Sequence, residues 1–214
     1  MLTTKIKASS ITNLTDARYF AAWMIDWMGF DLTIGSETYV SPQTIQAIHG
    51  WVDGVEKIGE FSLQEADEIL SAIDMLTLDG VQLGMFTDLA TMEKVHKKVP
   101  IIKEIVIDQE STSQWLKDHL TQMAPFTDKF LLNFDKNALS WEAVKRSSKI
   151  KIEDLQDIFQ QYPILLSIDV NASNVQEIIE ELRPLGLNVK GGDEERVGVK
   201  SYDELDQLFE VLEE

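Results

Sequence analysis

The chain of 214 residues sets 19 Lys and Arg against 37 Asp and Glu, a formal net charge of −18 at pH 7. Only four of the cations are arginines (Arg18, Arg146, Arg183 and Arg196). Without a dense cationic surface to displace counterions, neither nucleic acid nor an anionic membrane is expected as a partner. A hydrophobic content of 44% can bury a large core, so the acidity is assigned to the solvated surface of one domain, residues 1–214. Cysteine is absent, which excludes disulfides, thiolate metal sites and a cysteine nucleophile. The first residues, Met1 to Lys5, carry no signal-peptide pattern. The most apolar helical stretch, Tyr19 to Met28, is interrupted by Asp26 and falls well short of the roughly 18 apolar residues of a membrane span. A soluble cytoplasmic protein is expected.

From the N-terminus onward, short runs of β-branched and aliphatic residues alternate with longer segments whose apolar positions recur every three or four residues. In chain order the predicted strand and helix pairs are Lys5–Ser10 with Asp16–Met28, Gly29–Thr33 with Pro42–Trp51, Gly54–Ile58 with Leu63–Leu70, and Gly80–Leu83 with Asp88–Lys97. They continue as Ile102–Ile107 with Ser113–Met123, Lys129–Phe134 with Ile152–Tyr162, Ile164–Asp169 with Ser173–Leu185, and Asn188–Gly191 with Tyr202–Leu212. Start signals support several helices: Thr15-Asp16, Ser41-Pro42, Ser62 with Glu65, and Ser173 with Glu177. Runs such as Phe130-Leu131-Leu132 and Ile164-Leu165-Leu166 suit strands buried on both faces of a parallel sheet. Eight successive units point to a compact (β/α)₈ TIM barrel, at roughly 27 residues per unit, with an open doubly wound sheet as the alternative.

In a closed barrel, chemistry sits where the strands end. On the boundaries above, that rim presents Ser9 and Ser10, Asp31 and Thr33, Lys57 and Glu60, Gln82, Asp108, Asn133 and Asp135, Asp169, and Lys190. There is no Walker loop, dinucleotide-binding glycine fingerprint, nucleophile elbow or His pair at metal-ligand spacing. His49, His96 and His119 all fall on predicted helices, where packing or surface roles are expected. No cofactor or metal is implied.

The segment Lys7-Ala8-Ser9-Ser10-Ile11-Thr12-Asn13-Leu14-Thr15-Asp16-Ala17 resembles the opening of the phosphoribosylanthranilate isomerase family, K-[IV]-C-G-[IL]-T followed by N-x-x-D-A. The likeness continues in order. Gly29-Phe30 and Ser36-Glu37-Thr38-Tyr39-Val40-Ser41-Pro42 resemble the family's G-F and S-x-R-Y-V-S-P, and Val81-Gln82-Leu83 its V-Q-L-H-G strand. Asn171-Ala172-Ser173-Asn174-Val175 is similar to L-N-P-E-N-V, and Gly198-Val199-Lys200 to the closing G-x-K-D. The resemblance implies a TIM barrel and an Amadori rearrangement of N-(5'-phosphoribosyl)anthranilate in tryptophan biosynthesis, by a general base and a general acid. It also implies a small-molecule ligand of phosphosugar type, and a monomer or homodimer.

Against that pattern, Ser9 stands at the base position and Asn133 at the acid position of L-L-D. Neither a hydroxyl nor an amide transfers protons unaided near neutral pH. Thr38 replaces a substrate-contacting Arg, and Gly84 the His of V-Q-L-H-G. The family's Gly-Gly after strand seven falls near Ile168-Asp169, and its G-G-[ST]-G loop has no counterpart around Phe134 to Leu139. Gly191-Gly192-Asp193-Glu194 matches S-G-V-E loosely, with Asn188 for the preceding aspartate and Lys190 as an added cation. Three readings follow: a family barrel with weak or lost ancestral activity; a working isomerase with Asp135, Asp169 or Lys7 as substitutes; or a lyase or isomerase built on Lys190 or Lys57. Noncatalytic binding is a further alternative. Lys7 is also expected to neutralise Asp31 or Asp169. Gln82, Lys190, Gly191, Gly192 and Thr38 are the expected ligand-binding residues.

Overall fold

The computed structural model describes residues 2–191, 194–196 and 199–213, with residues 194–196 and 199–200 described by their backbone alone. Eight strands form a closed barrel in sequence order: β1 Lys5–Ser9, β2 Trp27–Asp31, β3 Glu56–Phe61, β4 Gly80–Leu83, β5 Ile101–Val106, β6 Lys129–Asn133, β7 Ile164–Ser167 and β8 Gly186–Lys190. Every neighbouring pair is parallel, and β8 closes on β1 from Lys5↔Gly186 through Ser9↔Lys190. The expected TIM barrel is therefore the observed fold. A two-stranded antiparallel ribbon, β9 Glu194–Arg196 and β10 Val199–Lys200, follows β8.

Helices pack around the barrel: α1 Leu14–Ala22, α2 Pro42–His49, α3 Ala66–Leu76, α4 Leu89–His96, α5 Ser113–Met123, α6 Trp141–Lys145, α7 Ile152–Gln161, α8 Val175–Leu182 and α9 Asp203–Leu212. Among the described residues, no helix is long and apolar enough to cross a membrane. The cap at Ser41 is as expected, its Oγ accepting from Thr44 N. At α1 the cap is Asn13, and at α3 it is Glu65 in a capping box with Glu68. Ser62 instead belongs to a loop, its N–H donating to Thr33 Oγ1 and Gln64 Oε1.

Two boundaries differ for tertiary reasons. The helix expected to run to Met28 ends at Ala22, because Met24 turns left-handed at φ 53° and Trp27-Met28 pair as strand with Glu56-Lys57. The third strand runs to Phe61 rather than ending at Ile58, so Lys57 lies near its N-terminal end, away from the catalytic rim. Helix α6 was not expected, being only five residues long.

Two cores share each strand, because side chains alternate across it. Outward residues such as Ile6, Phe30, Val81, Ile105 and Leu166 bury against the helices. Inside the barrel, Trp27, Ile58, Ile102, Leu131 and Leu165 form a separate apolar plug. One inward step further toward the strand ends, the same faces carry Gly29, Glu60, Glu104, Asn133 and Ser167, joined by Lys7, Gln82 and Asn188. The barrel interior thus changes from apolar to polar in one step, and that polar layer is the floor of the rim.

Candidate functional site

Above the polar layer opens a cavity of about 540 Å³, lined by residues from the ends of most barrel strands, among them Ser9, Glu60, Gln82, Glu104, Asn133 and Asn188. Its size lies within the range of small-molecule sites. At the floor, Lys7 is fully buried and donates to Glu60 Oε1 at 2.5 Å, Ser9 Oγ at 2.8 Å and Asn188 Oδ1 at 3.2 Å. Burying this ammonium requires such partners. The neighbouring Gly29 leaves the space, since a Cβ there would overlap the Glu60 carboxylate and approach Lys7 Nζ.

Ser9 Oγ donates onward to Asn188 Oδ1 at 2.6 Å, and Asn188 Nδ2 to Ser167 Oγ at 3.2 Å. Ser167 Oγ in turn donates to Asp135 Oδ2 at 2.7 Å. Ser10 follows β1 in the left-handed region at φ 54°, where the family motif has glycine. Its N–H and hydroxyl both donate to Glu60 Oε2, at 3.1 and 3.2 Å. The Glu60 carboxylate is therefore held at both oxygens.

On the opposite wall, Asn133 Nδ2 donates to Glu104 Oε1 at 2.8 Å, while Asn133 Oδ1 accepts from Lys136 N at 3.0 Å. Lys136 Nζ completes the triangle on Glu104 Oε2 at 2.7 Å. At the lip, Asp31 accepts from Thr33 N, Ser36 Oγ and Thr38 Oγ1 at 2.8, 2.5 and 2.8 Å. Gln82 lines the cavity at 8% exposure with its Oε1 unpartnered. On the outer face of β5, Lys103 is buried and donates to the carbonyls of Gly84, Met85 and Thr87 at 2.5, 3.2 and 3.2 Å. Burial brings its pKa down to about 8, against the opposing fields of Glu104 and Asp88.

Of the residues expected at the site, Ser9, Asn133, Thr38, Gln82, Lys190 and Gly191 line this cavity. Lys7 lies beneath it, and its ion pair is with Glu60 rather than with Asp31 or Asp169. The correction follows from register, since β3 extends to Phe61 and brings Glu60 inward beside β2. Asp135 sits in a 3₁₀ turn, outside the residues lining the cavity, and holds Ser167. Asp169 is likewise not part of the lining: its Oδ1 accepts from Trp141 N at 2.6 Å, at the start of α6. Gly192 lies outside the described residues.

Glu104 and Lys136 were not singled out from the sequence. The signal available was the alternation along β5, which puts Glu104 on the same face as Ile102. The histidines are placed on helices as expected: His49 packs edge-on to Phe30, and burial lowers its pKa to about 4. Among the described residues no cluster of three or more His, Asp or Glu could hold a metal ion.

A family model for N-(5'-phosphoribosyl)anthranilate (PRA) isomerase matches residues 6–211. The chain is 25% identical over 202 residues to the N-(5'-phosphoribosyl)anthranilate isomerase of Thermotoga petrophila, covering 94% of each chain. To that of Gloeothece citriformis it is 26% identical over 216 residues, covering 97% of this chain and 93% of the other. The crystal structure of the Thermus thermophilus enzyme superposes with a TM-score of 0.77 at 25% identity, over 98% of both chains. A phosphoribosyl anthranilate isomerase in complex with reduced 1-(o-carboxyphenylamino)-1-deoxyribulose 5-phosphate gives 0.75 at 26% identity, again over 98% of both. A match running from the first barrel strand into the last helix, on a closed barrel whose rim carries the polar cavity, settles the kinship: the chain belongs to the N-(5'-phosphoribosyl)anthranilate isomerase family.

Proposed function

We propose that this chain is a single-domain, cytoplasmic member of its family in which the acid and base of the isomerisation have been replaced. Ancestral turnover is weak or lost, and the barrel rim serves another small polar ligand. The observation that carries this reading is the hydrogen bonding of Ser9 and Asn133. The Ser9 hydroxyl donates a hydrogen bond to Asn188 Oδ1 and accepts one from Lys7 Nζ, while Asn133 is spent between Glu104 and Lys136. Both positions are occupied by groups that hold the polar layer together and do not exchange protons near pH 7. General acid–base catalysis contributes about 10²–10⁴-fold for each group.

The test follows the fluorescence of phosphoribosylanthranilate generated in situ, with the Thermotoga petrophila enzyme assayed beside it. Turnover at least about 10²-fold below that enzyme is expected. Turnover within about tenfold of it would overturn the reading. Ser9→Cys/Asn133→Asp separates two causes, since a gain in the double variant assigns the loss to proton transfer alone.

One observation favours a working acid–base enzyme instead: two carboxylates, Glu60 and Glu104, line the same cavity. If wild type is active, Glu60→Gln and Glu104→Gln identify which of them acts. The other substitutes have less support, since Asp169 and Asp135 are engaged outside the lining and Lys7 is sealed beneath Ser9 and Glu60.

A further inference from the structure

The buried amide at the bottom of the cavity carries a further step, resting on the reading that the ancestral ligand has been exchanged. Gln82 is 8% exposed, and neither atom of its amide is hydrogen-bonded within the described residues. Its Oε1 is shielded from solvent, so water does not serve it freely either. Buried amides are nearly always paired, and an unpaired one beside a cavity marks where a ligand group completes the bonding. Gln82 stands in register with Glu60 on β3, and Glu104 rises from β5 on the other side.

The charges around it argue against an anion. Lys7 is engaged by Glu60 and Lys136 by Glu104, at 2.5 and 2.7 Å. Asp31 adds a third carboxylate to the lining, and of the lining cations only Lys190 makes no salt bridge among the described residues. The backbone N–H of Trp141 at the start of α6 already donates to the Asp169 carboxylate. A phosphate dianion entering here meets three carboxylates, with Lys190 the one lining cation among the described residues left to face it. A neutral hydroxyl both donates and accepts, and so fits the alternation of acceptors (Gln82 Oε1, Glu60, Glu104, Asp31) with the Ser, Thr and Asn donors.

We infer that the cavity binds an unphosphorylated polyol or sugar, with Gln82 receiving one of its hydroxyls. The test is isothermal titration of the whole protein with ribitol, xylitol and glucitol, and with ribitol 5-phosphate as the charged counterpart. At least one of the three polyols is expected to bind about tenfold or more tightly than ribitol 5-phosphate. In Gln82→Leu that binding weakens by about tenfold or more, while the denaturation midpoint holds or rises, because the amide has no protein partner to lose. That split separates a ligand contact from a structural role.

The inference is overturned if ribitol 5-phosphate binds more tightly than every polyol, if Gln82→Leu binds as wild type does, or if none of the polyols binds. Turnover of phosphoribosylanthranilate by wild type within about tenfold of the Thermotoga petrophila enzyme would overturn the functional reading. A preference for ribitol 5-phosphate without turnover would overturn the ligand class and leave that reading standing.

Discussion

At the scale of single residues, the site is organised by one absent side chain. Gly29 is the inward residue of β2 at the level of the polar layer, and the volume a side chain would fill there is taken by the Lys7–Glu60 pair. Gly29→Ala is expected to push the Glu60 carboxylate off Lys7 and Ser10, destabilising the fold by about 1–3 kcal/mol in urea titration. Stability equal to wild type would mean that the pair has room to move. Ser10 shows the converse economy. A residue other than glycine holds φ 54° because its N–H and hydroxyl both grip Glu60 Oε2, which offsets the cost of the left-handed backbone.

At the scale of elements, the loop between β4 and α4 depends on a side chain from the next strand. Lys103 Nζ donates to the carbonyls of Gly84, Met85 and Thr87, so the loop takes its shape around an ammonium. The folded pKa of about 8 lies below the ordinary 10.5, so between those values the unfolded chain binds more protons than the folded one. Stability from this group therefore rises with pH across that window, and the cost of burying the charge is fully present below pH 8. Relative to Lys103→Met, wild type should gain up to about 3 kcal/mol between pH 7 and 10.5 in paired urea titrations. A flat difference would mean that the three carbonyls hold the ammonium as well as water does.

The same scale explains which elements were legible. Gly80–Leu83 and Ser113–Met123 appear with the expected limits, because their patterns are clean and their neighbours are turns. The α1–β2 boundary was not legible: Trp23, Ile25, Trp27 and Met28 continue an apolar series, and only pairing with β1 and β3 makes Trp27-Met28 a strand. The indole of Trp27 then donates to Glu56 on β3 at 2.8 Å.

At the scale of the whole molecule, the two ends of the chain are clasped to each other. Tyr19 of α1 donates to Asp206 of α9 at 2.7 Å, and Tyr202 beside α9 donates to Asp16 of α1 at 2.5 Å. The two rings stack at 3.9 Å. Burial first, and then the partner carboxylates, raise both phenol pKa values well above the ordinary 10.0. Their contribution is present in full below that value and is lost as pH climbs through the raised folded values. An absorbance titration of phenolate should show a late component that Tyr19→Phe/Tyr202→Phe abolishes, with a stability loss of about 1 kcal/mol per hydrogen bond. Early ionisation of all tyrosines in the folded protein would show the clasp to be open in solution.

The sequence by itself determined the barrel, its strand order and the family. Strand and helix periodicity is local, and the family's landmarks survive in order along the chain. It also placed Ser9, Gln82, Asn133 and Lys190 on one rim, since strand ends converge in any closed barrel. Tertiary structure alone decided which carboxylate Lys7 meets, that Asp169 is used at the start of α6, and that Glu104 and Lys136 lock Asn133. Those outcomes depend on where each strand ends and on the register between strands. A shift of one residue there exchanges the inward and outward faces, and no local pattern records it.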